Sequence, residues 1–185
     1  MPRLNDFMTR FNVAPLLDFC REHGRVVAYH KGESMVDEGS LCRYFGFVRS
    51  GYFKYTVQDS EGNECVTGFS FEGEVVADYV RSFLFSQPSL VSIIAGCDSE
   101  VLQVRMSDIR NFIKEHNPEI ITEASSILML EAYERYLSIH RLTPIERYRS
   151  LFPRFADVID RIPYQEIASY LSISRRQFQR IRAQI

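Results

Sequence analysis

The sequence predicts an α+β protein that begins with a double-stranded β-helix (jelly-roll) barrel, continues into a long helix and ends in a helix-turn-helix. Three observations support this prediction. Short runs rich in valine, tyrosine and phenylalanine occupy residues 25–104, helical patterns replace them after Met106, and a basic segment begins at Ser174. Many short strands separated by turn residues are typical of a sandwich or barrel, and here they favour a double-sheet jelly roll.

A helix over residues 5–23 is predicted before the barrel, and Gly24 is placed to end it. The apolar positions of this helix recur at helical spacing: Phe7, Phe11, Ala14, Leu17 and Phe19. Glycine-containing turns divide the region that follows into short strands. The predicted strands are residues 25–30, 32–36, 43–48, 51–57, 64–71, 90–95 and 100–104.

Three further helices are predicted after the barrel. Ser107 and Asp108 can cap the first, the second runs from about residue 118 to residue 139, and Thr143 and Pro144 open the third. The second helix carries an apolar stripe formed by Ile120, Ile121, Ala124, Ile127, Leu128, Glu131 and Leu137. This stripe is either core or a seam against a second copy. We favour the seam, because a two-fold axis fits between a barrel and a motif that reads palindromes.

The end of the chain is strongly basic. Four arginines and no acidic residue follow Ser174, whereas the rest of the chain has a formal charge of −6. As a helix, this segment places Phe178, Ile181 and Ile185 on one apolar stripe and its cations on the opposite side. A basic face alone is more often solvated surface. A short helix that starts near Pro163 precedes it here, however, and the pair forms a predicted helix-turn-helix.

In such a motif the second helix enters the DNA major groove, where arginine binds guanine and glutamine binds adenine. Ser174 is the predicted N-cap of this helix. Ser172 stands in the turn where glycine is common, so its backbone must tolerate an unusual conformation. The predicted DNA-binding residues are Ser174, Arg175, Arg176, Gln177, Gln179, Arg180 and Arg182.

The remaining composition offers no catalytic or metal-ligating cluster, so we expect neither an enzyme nor a metal site. The four cysteines lie more than twenty residues apart without a CxxC pair, and the four histidines lack ligand spacing. We interpret the cysteines as reduced thiols. No signal peptide or membrane-spanning run is present, and a cytoplasmic protein is therefore expected.

Residues 31–39 and 45–54 resemble the glycine-spaced effector domain of the Crp/Fnr family of bacterial transcription regulators, and residues 166–181 resemble its DNA-binding end. The resemblance implies a homodimer whose long helices pair, with an effector pocket in each barrel. Two recognition helices would read a roughly palindromic operator in double-stranded DNA, and RNA polymerase would be a partner. The implied domains are an effector barrel with flanking helices at 1–117, a dimerisation helix at 118–140 and a DNA-binding domain at 141–185.

Two departures from the family pattern concern DNA reading. The Arg-Glu-x-x-x-Arg pattern of the family falls on Arg175, Arg176 and Arg180, so an arginine replaces the glutamate. A glutamate accepts from cytosine N4 and an arginine cannot, which leaves Arg176 to read a different base or to contact phosphate. The family often continues into a β-hairpin wing, and this chain stops at Ile185 without one.

The effector site departs further. Cyclic-nucleotide binders of the family have Gly-Glu followed by Arg-Ser or Arg-Thr, and here Gly73 and Glu74 match whereas Pro88 replaces the arginine. Without a guanidinium a buried cyclic phosphate has no counter-charge, so cyclic AMP and cyclic GMP are not expected to bind. No cofactor is identified, and an unknown small-molecule effector stays open. The candidate pocket residues are Glu74, Tyr79, Arg81 and Ser89, each of which is as readily an ordinary barrel or surface residue.

The sequence leaves two alternatives to a DNA-binding regulator. One is a barrel that binds a small molecule or a protein and whose terminal helices only brace a dimer. The other is a cupin-type metalloenzyme, which would need clustered histidines and carboxylates on the strands, and the sequence lacks them. The regulator is the function that we favour.

Overall fold

The computed structural model describes residues 5, 10, 12–155 and 159–183, with side chains described outside 151–159. These residues divide into two compact units. One unit is Asn12–Ile121, and the other contains Thr122–Ile185, so that the division falls inside a helix. The domain limits predicted from the sequence, at residues 117 and 140, stay a prediction.

Eight antiparallel strands build the first unit. They form two four-stranded sheets with the orders β1-β8-β3-β6 and β2-β7-β4-β5, which is the arrangement of a double-sheet jelly roll. The antiparallel barrel-like fold predicted from the sequence is thus confirmed, with every predicted strand present to within two residues. The strands are β1 Arg25–Tyr29, β2 Ser34–Val36, β3 Tyr44–Ser50, β4 Tyr52–Gln58, β5 Glu64–Phe71, β6 Val75–Val76, β7 Ser92–Ala95 and β8 Ser99–Arg105.

Aromatic rings fill much of the barrel core. Tyr29 of one sheet meets Phe53 of the other edge to face, with 5.4 Å between ring centroids. The Tyr29 hydroxyl donates to Gln103 Oε1 at 2.9 Å, which gives both buried side chains a hydrogen-bond partner. Tyr52 is buried against Gly96, where any Cβ would overlap its ring. Large rings held this closely leave the core dependent on a glycine at residue 96.

Two helices pack beside the barrel in the same unit. Helix α1 is Ala14–His23, and Gly24 ends it as predicted. The earlier part of the predicted helix includes Phe7 and Phe11, which lie outside the described residues. Helix α2 is Met106–His116 and follows Arg105, with the Ser107 hydroxyl bonded to Asp108 instead of capping the backbone. The two helices meet through stacked rings of Phe19 and Phe112, 4.4 Å apart.

A π-helical segment, Tyr79–Leu84, connects β6 towards β7. Asp78 caps this segment, because its carboxylate accepts from the backbone N–H groups of Arg81 and Ser82 at 3.3 and 3.0 Å. The Ser82 hydroxyl also donates to Asp78, at 2.9 Å. The side-chain bonds order the segment within the barrel unit, although its turn geometry is not that of a regular α-helix.

The second unit consists of helices. Helix α3 is Glu119–Arg141, with its first three residues in the barrel unit, and α4 is Pro144–Phe155. Thr143 and Glu146 form the cap of α4 by reciprocal bonds of 2.8 and 3.4 Å. A 3-10 turn at Ile159–Arg161 follows, and then α5 at Tyr164–Tyr170 and α6 at Arg175–Arg182.

The apolar surface that α3 exposes differs from the predicted stripe. Ile120 and Ala124 of that stripe are buried within the chain at 3% and 7% exposure. A second row of apolar side chains is 41–69% exposed instead, and it consists of Met129, Leu130, Tyr133, Tyr136 and Ile139. The buried apolar residues of α3 therefore lie in its first turns, and the exposed apolar surface of this helix combines aliphatic side chains with two tyrosines. We call this second row the α3 stripe.

Candidate nucleic-acid interface and effector site

Helix α6 begins with a complete capping box. Ser174 Oγ accepts from the Gln177 N–H at 3.1 Å, and Gln177 Oε1 accepts from the Ser174 N–H at 2.9 Å. The predicted N-cap at Ser174 is confirmed, and the role of Gln177 is new. Its side-chain oxygen already holds a backbone donor, which removes it from the bidentate geometry that adenine recognition needs.

The buried side of α6 is fixed by aromatic contacts. Phe178 is fully buried between Tyr148 of α4 and Tyr164 of α5, with centroid distances of 5.4 and 5.7 Å. Ile181 is also buried, at 5% exposure. The predicted apolar side of the helix is therefore the side that packs, and Ile185 lies outside the described residues. This packing orients the opposite side of α6 outward.

That opposite side carries exposed cations and amides. Arg175, Arg176, Gln179 and Arg180 are all exposed, and no described residue forms an ion pair or hydrogen bond with the three arginine side chains. Arg176 and Arg180 are an i, i+4 pair of like charges, which destabilises an isolated helix by a few tenths of a kcal/mol. The arrangement presents several free guanidinium donors in one direction, as an anionic partner requires.

Arg182 lies apart from these arginines. Its guanidinium stacks over the Tyr164 ring at 4.4 Å, and its Nη2 lies 3.5 Å from Asp160 Oδ1. The side chain therefore braces α6 against the segment before α5. No signal in the sequence distinguished Arg182 from Arg180, because both stand on the same basic helix.

The turn before α6 has a specific geometry. The Ile173 N–H bonds to the Ala168 carbonyl at 3.0 Å, and the Ser172 N–H bonds to the Ser169 carbonyl at 2.9 Å. This pair of bonds is a Schellman motif, in which the residue after the C-cap adopts a left-handed conformation. Ser172 has that conformation, with φ +55°. The expectation that Ser172 tolerates an unusual backbone is confirmed.

The candidate effector residues bond mainly to their own surroundings. Glu74 is buried at 4% exposure, and its Oε2 accepts from the Phe71 N–H at 2.9 Å. Ser89 is buried at 1%, and its hydroxyl donates to the Val91 carbonyl at 2.7 Å. The side chains of both candidate residues are thus engaged by nearby backbone groups.

Arg81 and Tyr79 point to different partners. Arg81 Nε donates to the Pro88 carbonyl at 3.3 Å, so this guanidinium does reach the position where the family carries its phosphate-binding arginine. The Tyr79 hydroxyl instead donates to the Ile121 carbonyl at 2.9 Å, at the start of α3. These bonds connect Arg81 to Pro88, next to Ser89, and connect Tyr79 to the first turn of α3.

A surface groove of about 400 Å³ lies elsewhere on the barrel unit, and none of the four candidate effector residues lines it. It is lined by Leu17, Arg21, Val26, Phe47, Val48, Arg49, Gly73 and Leu102. Sequence reasoning did not identify this groove, because its residues come from five separate parts of the chain.

Two of the four cysteines are buried, and burial makes their thiols less reactive. Burial raises the pKa of the Cys20 thiol to about 12 and also raises that of Cys42, which suppresses the thiolate form. The four cysteines are free thiols.

Among the residues that the structure describes, no group of histidine, cysteine and carboxylate side chains is arranged to hold a metal ion. In the same part of the chain, no helix combines the length and apolar character needed to cross a bilayer.

Comparison with known proteins finds a matching domain model and similar solved structures. Residues 26–116 match the model of the cyclic nucleotide-binding domain. Among solved structures, the c-di-GMP-responsive global regulator CLP of Xanthomonas campestris is similar with a TM-score of 0.70 at 16% identity, over 94% of this chain and 91% of that one. FixK2 of Bradyrhizobium japonicum gives a TM-score of 0.66 at 18% identity, over 87% and 83%. No match is found among curated proteins.

The catabolite activator protein of Thermus thermophilus is also similar, with a TM-score of 0.57 at 18% identity, over 92% of this chain and 82% of that one. These similar structures belong to Crp/Fnr regulators, and each spans most of the chain. At identities this low, the structural similarity establishes a shared fold and no more. The predicted resemblance is thus confirmed: the chain carries a cyclic nucleotide-binding domain at residues 26–116 within the fold of the Crp/Fnr transcription regulators.

Proposed function

We propose that this protein is a homodimeric, sequence-specific DNA-binding transcription regulator, not an enzyme, whose barrel does not bind cyclic nucleotides in the usual way of the family. The observation that carries the proposal is the exposed side of α6. Three guanidiniums, those of Arg175, Arg176 and Arg180, point away from a helix that Phe178 anchors from the other side. By family resemblance it would act in the cytoplasm with RNA polymerase.

The helix pair α5 and α6 supports entry into a major groove. The two helices are joined by a tight turn, and the second is capped and packed before any partner arrives. These features support the proposed helix-turn-helix, in which the recognition helix would read base edges with its exposed side chains. We assign base reading to Arg175, Arg180 and Gln179, and we assign to Arg176 the altered operator preference. Gln177 and Arg182 shape the helix, because the structure engages both within the chain.

The α3 stripe supports the homodimer. Met129, Tyr133 and Tyr136 recur at i, i+4 and i+7, so their side chains share one side of the helix. Exposed apolar surface that is continuous along a helix marks an interaction site. A second copy of the same stripe, related by a two-fold axis, would bury these rings and place two α6 helices on one operator.

The barrel chemistry supports an altered effector site. Glu74 and Ser89 are both bonded to backbone groups, and residue 88 is a proline where the family has an arginine. Arg81 is a candidate substitute cation, but its Nε is bonded to the Pro88 carbonyl. A cyclic phosphate would have to displace these bonds without gaining the usual guanidinium fork, which makes binding unfavourable.

The experiment that tests DNA binding is selection of bound sequences from random duplex DNA. We expect an enriched, roughly palindromic sequence, and an affinity that falls steeply with salt, with a slope of about −0.9 per phosphate contacted. Combined Arg175→Ala and Arg180→Ala should weaken binding at least about tenfold and relax the sequence preference. Arg105→Ala, at an exposed arginine of the barrel, is the matched control. No enrichment by the wild type would instead favour a barrel module without DNA binding.

The effector proposal is tested by calorimetry with cyclic AMP and cyclic GMP. We expect no heat of binding with either nucleotide at micromolar concentration. Micromolar binding would show that the bonds of Glu74 and Ser89 rearrange and that Pro88 does not prevent phosphate recognition. The same titration with Glu74→Ala would then identify whether that carboxylate takes part.

A further inference from the structure

We propose that Arg135 and Arg147 are positioning residues that hold α5 and α6 in one orientation relative to α3, and that they thereby set the half-site spacing this protein accepts on DNA. The inference rests on the proposed function. It concerns side chains that do not touch DNA and that lie wholly within the helical unit.

Arg135 joins the long helix to the end of α5. Its Nη2 donates to the Tyr170 carbonyl at 2.8 Å, and its guanidinium lies 3.6 Å over the Tyr170 ring. Tyr170 is the last residue of α5, where backbone carbonyls lack partners within the helix and carry the negative end of its dipole. One side chain thus makes a charge-assisted bond and a cation–π contact to the same residue.

Loss of the Tyr170 contacts would leave the partly buried guanidinium of Arg135 without compensation for its burial. Burial lowers the pKa of its guanidinium from the ordinary value, while the Tyr170 contacts oppose that change. The group stays protonated at any ordinary pH. No described carboxylate pairs with it, so that the Tyr170 carbonyl and ring supply its compensation. A half-buried cation held by one residue restricts how α5 can move on α3.

Arg147 makes a second connection from the other side of the link between α3 and α4. Its Nη1 donates to the carbonyls of Ile139 and Leu142, each at 3.1 Å, at the C-terminal end of α3. Its Nη2 reaches the Ser172 carbonyl at 3.5 Å, in the turn between α5 and α6. The bond to Ser172 is long, but the planar guanidinium that makes it is already oriented by its Nη1 bonds to Ile139 and Leu142.

Together the two arginines connect the parts of the chain on either side of the link between α3 and α4. The chain passes from α3 to α4 through Leu142 and Thr143, and a bend there would carry α6 away from the axis of α3. Arg135 ties α3 directly to α5, and Arg147 ties the end of α3 to the turn before α6. If two α3 helices pair, the separation between the two α6 helices is therefore fixed by these contacts. A dimer reads half-sites about 34–36 Å apart only when that separation is held.

The test measures binding to duplexes that carry the selected half-site twice, with the separation stepped one base pair at a time through about one helical turn, roughly 10 base pairs. We expect the wild type to prefer one separation. Combined Arg135→Gln and Arg147→Gln should reduce this preference about tenfold, while affinity for a single half-site stays within about threefold, because the residues that face DNA are unchanged. Arg149→Gln, at an exposed arginine of α4, is the matched control.

Lysine variants keep the test informative if the glutamine variants unfold. Arg135→Lys and Arg147→Lys retain the charge and N–H donors but not the planar fork, so they should lose part of the spacing preference. A preference unchanged in folded variants would overturn the inference. So would an equal loss of affinity for single and paired half-sites, which would indicate stability alone. Failure of the wild type to bind DNA would instead refute the proposed function.

Discussion

Ser172 offers a direct test of how the turn before α6 is built. It is exposed, it has φ +55°, and its side chain has no described hydrogen-bond partner. A residue with a Cβ loses about 1–2 kcal/mol in this left-handed conformation. Glycine avoids that strain, but its greater freedom in the unfolded chain offsets roughly 0.5–1 kcal/mol. Ser172→Gly should therefore raise the free energy of unfolding by about 0.5–1 kcal/mol.

The assay is thermal and urea-induced unfolding followed by circular dichroism. For a chain of this size the expected gain corresponds to a rise in Tm of about 1–4 °C. Ser172→Ala is the control, because it removes the hydroxyl and keeps the Cβ, and it should change stability by less than about 0.5 kcal/mol. If Ser172→Gly proves no more stable than Ser172→Ala, the reasoning from left-handed strain in the Schellman motif is wrong.

Three further perturbations test the packing of each unit. Phe178→Ala should reduce the free energy of unfolding by about 3–5 kcal/mol in urea-induced unfolding. In the same titration, Gln179→Ala, at an exposed neighbour, should change that free energy by less than about 0.5 kcal/mol. Gly96→Ala should destabilise the barrel by about 1–3 kcal/mol or more, because the added methyl overlaps Tyr52; a neutral result in calorimetric scans would contradict that contact. Burial raises the pKa of Cys20 from 9.0 to about 12, so stability should fall between these pH values as the unfolded thiol ionises, and Cys20→Ala should lessen that fall.

Much of the barrel could be predicted because its strands have local sequence signals. Runs of β-branched and aromatic residues end at glycines, and β5 at Glu64–Phe71 has the predicted limits. Strand β6 was missed, since two valines carry no periodicity. The π-helical segment was also unpredictable, because it depends on the Asp78 side chain bonding forward to Arg81 and Ser82.

The candidate site was predicted by type, with less accuracy for individual residues. Burial of Phe178 and exposure of Arg180 follow from helical spacing alone. The Ser-x-x-Gln spacing of Ser174 and Gln177 is a local signature of a capping box, so the capping role of Gln177 could be predicted from the sequence. The stacking of Arg182 on Tyr164 could not, because it depends on a neighbour distant in sequence. On α3, the isoleucine and leucine pattern was interpreted as a seam, whereas Ile120 and Ala124, near its start, are buried and the exposed apolar row includes tyrosines outside that pattern.

The capping box at Ser174 has a thermodynamic consequence for DNA recognition. Because Ser174 and Gln177 close the first turn of α6 reciprocally, the helix does not have to be nucleated on the operator. The conformational entropy of ordering this turn is then lost mainly during folding, so α6 binds DNA as a preformed surface. The heat-capacity change on binding should accordingly match the apolar area covered at the interface, without the larger negative excess that accompanies folding coupled to binding.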